Sequence, residues 1–158
     1  MKTHLQLIAS RLVQLAKLRI YLIHSTDKIE QCGMQQKSPA EYSLDDSNIL
    51  AAFRMRVSEF QVHLGKLLAS IAREEEIECS GFSDVLAFAE KAGIINSETE
   101  WKEIREIRNQ INHEYEDDHD ALSEIIKKML TCIPTLLKWE TSAHNYCTAK
   151  FKLDEADS

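Results

Sequence analysis

Apolar residues recur at steps of three and four along most of this chain, and no stretch shows the strict alternation of a half-buried strand. The pattern therefore predicts an all-α protein, an up-and-down bundle of about five helices. The predicted helices cover 4–31, 48–73, about 83–92, a segment from Ser97 through Tyr115, and about 120–148.

Residues that favour turns and helix starts place the first boundaries. Gly33 and Pro39 interrupt the helical pattern, so 32–46 is predicted to be a loop. Asp46 or Ser47 is expected to cap the next helix, because short polar side chains accept a hydrogen bond from the first free backbone amides.

Later boundaries follow from the same chemistry. Ser83 is expected to begin the short third helix and Gly93 to end it. Ser97 and Glu100 have the spacing of a capping box at the start of the fourth helix. Asp117 or Asp118 is expected to cap the last helix, in which Pro134 predicts a kink.

Length and composition indicate one helical domain. The 158 residues suit a single domain over 1–150, with an acidic tail at 151–158 that is expected to fray. The chain shows neither a secretory signal nor a transmembrane run, and its four cysteines are scattered without a C-x-x-C pair. We therefore expect a cytoplasmic protein with reduced thiols and no membrane partner.

The net charge of −7 argues against affinity for nucleic acid over the whole surface. It leaves room for a local basic patch. Lys102, Arg105 and Arg108 lie at steps of three on the fourth helix, and they are expected to form such a patch.

The fourth helix also holds the densest set of groups able to do chemistry. Arg108 and Tyr115 are seven residues apart and share a helical face, whereas Asn109 and His113 share a neighbouring face. Arg108 and His113 lie about 140° apart around a straight helix. They can meet at one ligand only by the reach of the arginine, by local unwinding near His113, or across two helices.

Arg108-Asn-Gln-Ile-Asn-His113-Glu-Tyr115 fits the pattern R-x-x-x-x-H-x-Y with a polar residue after the arginine. This pattern resembles the signature of the HEPN superfamily, and of its HepT-like toxins in particular. The resemblance implies a helical bundle that pairs as a homodimer, so that two copies of the motif line one cleft.

The resemblance implies an endoribonuclease without a cofactor or metal, in which the ribose 2′-hydroxyl of RNA attacks the neighbouring phosphate. His113 would transfer protons near neutral pH. Arg108 would hold phosphate oxygens with its planar fork, and Asn109 would orient the imidazole or the substrate.

The same family implies a partner, a minimal nucleotidyltransferase antitoxin that transfers AMP onto the motif tyrosine, here Tyr115. A related branch consists of nucleotidyltransferase substrate-binding proteins without an assigned nuclease role. The sequence therefore leaves two functions open, a toxin that cleaves RNA and a non-catalytic binding module for the nucleotidyltransferase.

Overall fold

The computed structural model describes residues 3–113 and 118–153. These residues form five α-helices and one short 3-10 helix, and no strand occurs among them. The helices are α1 (His4–Gln31), α2 (Leu44–Glu74), α3 (Phe82–Lys91), α4 (Glu98–Asn112) and α5 (His119–Phe151), with the 3-10 helix at Pro39–Glu41. The predicted all-helical class is confirmed.

The long helices α1 and α2 form an antiparallel pair that carries much of the core. The start of α1 meets the end of α2, where His4 Nε2 lies 2.9 Å from the Ser70 carbonyl oxygen. Helix α5 crosses both, and Arg19 on α1 donates to the Leu137 carbonyl at 3.1 Å. The side chains between them are fully buried and apolar, among them Leu22, Phe53, Phe60, Leu64, Leu68, Ile126 and Leu136.

The second helix begins earlier than its apolar stripe indicates. Ser43 caps it, so the predictions of Asp46 or Ser47 as the cap were wrong. The Ser43 hydroxyl accepts from the Asp46 amide at 3.0 Å, and the Asp46 carboxylate accepts from the Ser43 amide at 3.1 Å. Asp46 is thus the third residue of a capping box, and Lys37 donates to the same carboxylate at 3.0 Å.

Among the other predicted helix boundaries, some are confirmed and one was wrong. Gly93 follows α3 with φ +78°, the left-handed geometry that commonly ends a helix, as predicted. Gly81, not Ser83, precedes α3. Asp118 caps α5 by accepting from the Ala121 amide at 3.0 Å, which confirms one of the two expected caps, while Asp117 lies outside the described residues.

Helix α5 contains Pro134 and continues to Phe151, and Leu153 packs against the core beyond it. Residues 154–158 of the predicted tail lie outside the described residues. Within the described ranges, no helix combines the length and the apolar character needed to cross a lipid bilayer.

Candidate functional site

Helix α4 is held in place by its apolar face. Trp101, Ile104 and Ile111 are almost completely buried, and the helix packs against α2, α3 and α5. The Trp101 ring stacks on Trp139 of α5, with centroids 5.7 Å apart and planes 19° from parallel. These apolar contacts therefore fix the orientation of α4 and of the polar side chains that it carries.

The start of α4 confirms half of the predicted capping box. The Ser97 hydroxyl accepts from the Glu100 amide at 3.1 Å. The Glu100 carboxylate accepts from the Asn96 side chain at 2.8 Å in place of the backbone bond to Ser97 that the motif predicts. The Asn96 side-chain oxygen also accepts from the Trp139 indole, so this corner ties α4 to α5.

The end of α4 differs from the sequence prediction. The helix stops at Asn112, and His113 has extended backbone angles of φ −82° and ψ 128°. The Asn112 side chain donates to the Ser58 hydroxyl on α2 at 2.7 Å, which fixes this end. The prediction that the helix continues through Tyr115 was therefore wrong, and local unwinding, one of the three ways to bring His113 toward Arg108, does occur.

Tyr115 itself lies outside the described residues, which resume at Asp118. Helix α4 ends at Asn112, before the position at which Tyr115 was expected to share a helical face with Arg108. The position of Tyr115 relative to the other motif residues stays a prediction.

The remaining motif residues lie in the last two turns of α4 and directly after it. Arg108 is half-buried and its Nη2 donates to the Asn109 side-chain oxygen at 3.5 Å. Asn109 and His113 are exposed. Burial lowers the pKa of Arg108 first, and the charge of Arg105 lowers it further. An anion beside this guanidinium would offset both effects.

Arg108 lines an open cavity of about 240 Å³, which we call the α2–α4 groove. The groove is lined by Gln61, Val62, Gly65, Lys66, Ala69, Phe82, Trp101, Arg105 and Arg108. These described lining residues include three cations and no carboxylate. In the part of the chain that the structure describes, Lys66, Arg105 and Arg108 take part in none of the ion pairs.

Of the three residues in the predicted basic patch, Arg105 and Arg108 line the groove and Lys102 does not. The Lys102 ammonium pairs with Glu98 one turn earlier, at 3.1 Å, and it does not line the groove. Lys66 on α2 takes its place. Sequence analysis missed Lys66 because it lies on another helix, although the small residues Gly65 and Ala69 beside it mark a face that a neighbouring helix can approach closely.

Two groove residues on α2 have unusual surroundings. Gly65 is buried, and a Cβ there would lie 3.2 Å from the Phe82 ring and 3.5 Å from the Trp101 ring. Gln61 is only 1% exposed; its amide nitrogen donates to the Trp101 carbonyl at 3.4 Å. Its side-chain oxygen has no hydrogen-bond partner among the described residues.

Comparison of the chain with protein-family models, with curated proteins and with solved structures finds no match in any of the three. The resemblance to the HEPN superfamily accordingly rests on the motif Arg108–Tyr115 and on the helical setting of that motif.

Proposed function

We propose that this protein is a metal-independent endoribonuclease, acting as a HepT-like toxin. One observation carries the proposal: Arg108 lies with Arg105 and Lys66 around a groove whose described lining has no carboxylate, and the exposed His113 follows five residues after Arg108, directly beyond the end of α4. In the proposed site, a phosphodiester bound by these cations reaches the His113 imidazole of the same protomer or of a second one.

In the proposed reaction the 2′-hydroxyl of one ribose attacks the adjacent phosphorus. The new P–O2′ bond forms as the P–O5′ bond breaks, which yields a 2′,3′-cyclic phosphate and a free 5′-hydroxyl. One proton leaves the 2′-hydroxyl and one is delivered to O5′, a task suited to imidazole near neutral pH. Arg108 stabilises the extra negative charge on the phosphoryl oxygens, and Asn109, within reach of Arg108, keeps that guanidinium oriented.

A homodimer forms part of the proposal. The two proton transfers need an acceptor and a donor, and the motif has a single histidine, His113. Two protomers that face each other across one cleft would supply two copies of His113 and two of Arg108. This arrangement removes the need for one helix to bring all the groups to one ligand.

The test of the nuclease replaces His113 and Arg108 singly by alanine. We expect cleavage of single-stranded RNA by the purified protein to fall about 10²- to 10⁴-fold for His113→Ala, the usual contribution of one acid–base group. A loss of about 10²- to 10³-fold is expected for Arg108→Ala, and growth inhibition should disappear with both. A fluorescence assay on a quenched oligoribonucleotide measures the rates.

Matched controls are His24→Ala on α1 and Arg73→Ala at the end of α2, which are exposed residues of the same types. Melting temperatures should stay close to that of the parent chain for all four variants. Full cleavage by His113→Ala would overturn the proposed mechanism. Cleavage should persist in excess EDTA, and its loss there would contradict a metal-independent reaction.

The proposal includes a cognate minimal nucleotidyltransferase as antitoxin. In this step the Tyr115 hydroxyl attacks the α-phosphorus of ATP, and pyrophosphate leaves. The neighbouring sequence is acidic, and the described residues on either side, His113 and Asp118, are both exposed, which supports access by a second enzyme. The added phosphate would then occupy Arg108, and the adenosine would block the cleft.

Co-expression with that partner, in cells that supply ATP and Mg²⁺, tests this step. We expect an intact-mass increase of AMP on the parent chain and none on Tyr115→Phe, which should remain toxic. Tyr21→Phe, at an exposed tyrosine of α1, is the control and should still be modified. Modification of Tyr115→Phe at another residue would refute the assignment. A stable complex without RNA cleavage by the parent chain would instead support the non-catalytic binding module.

A further inference from the structure

The α2–α4 groove has the chemistry of a site for part of a nucleic acid strand. Lys66 is exposed, and Arg105 and Arg108 are partly buried at the same opening. Three cations with no carboxylate among the described lining residues repel one another, and an anion is the ligand that relieves this repulsion. The net charge of the chain is −7, so the attraction is local to this groove.

Part of the groove lining is aromatic. Phe82, at the first turn of α3, is 36% exposed, and its ring centroid lies 5.9 Å from that of Trp101. Gly65 lets this ring lie close to α2, because a side chain there would meet it at 3.2 Å. A flat ring that enters the groove therefore finds an aromatic surface within reach of the cations.

Gln61 adds a third feature to the groove, a hydrogen-bond acceptor without a partner. Its side-chain oxygen is an acceptor without a partner among the described residues, in a residue that is 1% exposed and lines the groove. A buried acceptor left without a donor is unfavourable. An inorganic phosphate dianion carries a single O–H donor, whereas a nucleotide adds the N–H and O–H groups of its base and ribose beside the phosphate.

The size of the groove selects among nucleotide ligands. Its volume of about 240 Å³ lies below the roughly 300–1,000 Å³ of pockets that enclose a whole small molecule. It also remains open to solvent. A groove of this kind suits one phosphate and its adjoining ring, with the rest of the ligand continuing outside.

We propose that the α2–α4 groove is a nucleotide subsite for single-stranded RNA, in which Lys66 and Arg105 bind a phosphate next to the cleaved one and Phe82 stacks on the base. The inference rests on the proposed function in taking RNA as the ligand. Arg108 lies at the junction of subsite and reaction centre, so the groove fixes which phosphate reaches His113.

The experiment measures binding apart from cleavage. The probe is a fluorescein-labelled 2′-O-methyl oligouridylate of about eight nucleotides, which lacks the attacking hydroxyl. We expect the double variant Lys66→Gln/Arg105→Gln to bind at least tenfold more weakly. Its slope of log Kd against log salt should fall by about 0.7 for each phosphate that the variant no longer neutralises, the value for single strands.

Phe82→Ala tests the aromatic wall. Base stacking on an aromatic side chain typically changes affinity about five- to a hundredfold, and the partly covered Phe82 should lie at the lower end of that range. The salt slope should not change in this variant, because no charge is removed. If the double variant does not melt cooperatively, the single substitution Lys66→Gln at an exposed residue takes its place.

The matched control is Lys128→Gln/Lys138→Gln, which removes two exposed cations of α5 outside the groove. Equal weakening by this control and by the groove variant would overturn the subsite, as would unchanged binding by the groove variant. Inorganic phosphate and uridine monophosphate are then compared as competitors of the labelled probe. If inorganic phosphate displaces the probe as effectively as uridine monophosphate does, the groove is only an anion site and the nucleotide assignment is refuted.

The two proposals fail separately. If His113→Ala cleaves RNA normally while the groove variants bind the probe weakly, the proposed reaction fails and the subsite stands. If the groove variants bind normally while His113→Ala is inactive, the subsite fails and the nuclease stands.

Discussion

Single residues explain why the groove exists. A glycine within a helix costs about 1 kcal/mol relative to alanine, and Gly65 lies in the middle of α2. The cost is offset by the close approach of Phe82, whose ring would have to shift slightly to accommodate a methyl group at 3.2 Å. Lys66, the next residue, then carries its charge to the rim of the same opening.

Asp46 is the residue for which the structure predicts a pH dependence of stability. The hydrogen bond from Lys37 lowers its pKa most, followed by that from the Ser43 amide. A carboxyl group with a lower pKa in the folded state stabilises the fold fully above its unfolded value of about 3.9. That contribution is lost as the pH falls through the folded pKa.

We therefore expect Asp46→Asn to be less stable than the parent chain at pH 7, with the difference shrinking as the pH falls from about 4 to lower values. Urea unfolding followed by circular dichroism at a series of pH values measures it. Asp45→Asn, at the exposed neighbour in the same helical turn, is the control and should show a smaller change. A difference that stays constant even at the acid end of the series would contradict the role given to Asp46.

At the scale of helices, sequence periodicity located each of the predicted segments. It did so because burial of one apolar stripe is a local pattern that repeats every three or four residues. The ends were less accurate, since they depend on caps. Ser43 was missed because it precedes the apolar stripe, and α4 was predicted too long because Tyr115 continues the spacing after His113 has left the helix.

The candidate site shows a similar contrast: features within one helix could be predicted from the sequence, and contacts between helices could not. The sequence placed Arg105 and Arg108 on one face because both lie on α4. It could not predict that Lys66 and Gln61 of α2 meet them, because the pairing of two helix surfaces distant in sequence leaves no local period. Lys102 was assigned to the patch by spacing alone, and its pairing with Glu98 removes it.

At the scale of the whole molecule, the proposed homodimer gives a prediction about one face of α2. Met55 is 53% exposed and lies one turn before Ser58, the residue that holds the end of α4. We expect light scattering to give twice the mass of one chain. Met55→Lys should weaken association about tenfold or more, because a charge would replace buried apolar surface.

Ile20→Lys is the matched control, since Ile20 is 67% exposed and lies on α1 rather than on α2. Its dimer should remain intact. A parent chain that stays monomeric at high concentration would remove the two-histidine arrangement from the proposed mechanism. Dissociation by Ile20→Lys alone would move the interface to α1.

The stacked pair of indoles has an optical consequence. Trp101 and Trp139 are the only two tryptophans of the chain, and one of them lines the groove. Their nearly parallel rings should couple electronically and give a paired signal in the near-ultraviolet dichroism spectrum that vanishes when the helices separate. A nucleobase in the groove should quench the emission of Trp101 while that dichroic signal persists. In the unlabelled protein, tryptophan emission should thus measure occupancy of the groove, and near-ultraviolet dichroism should independently show whether the helices remain packed.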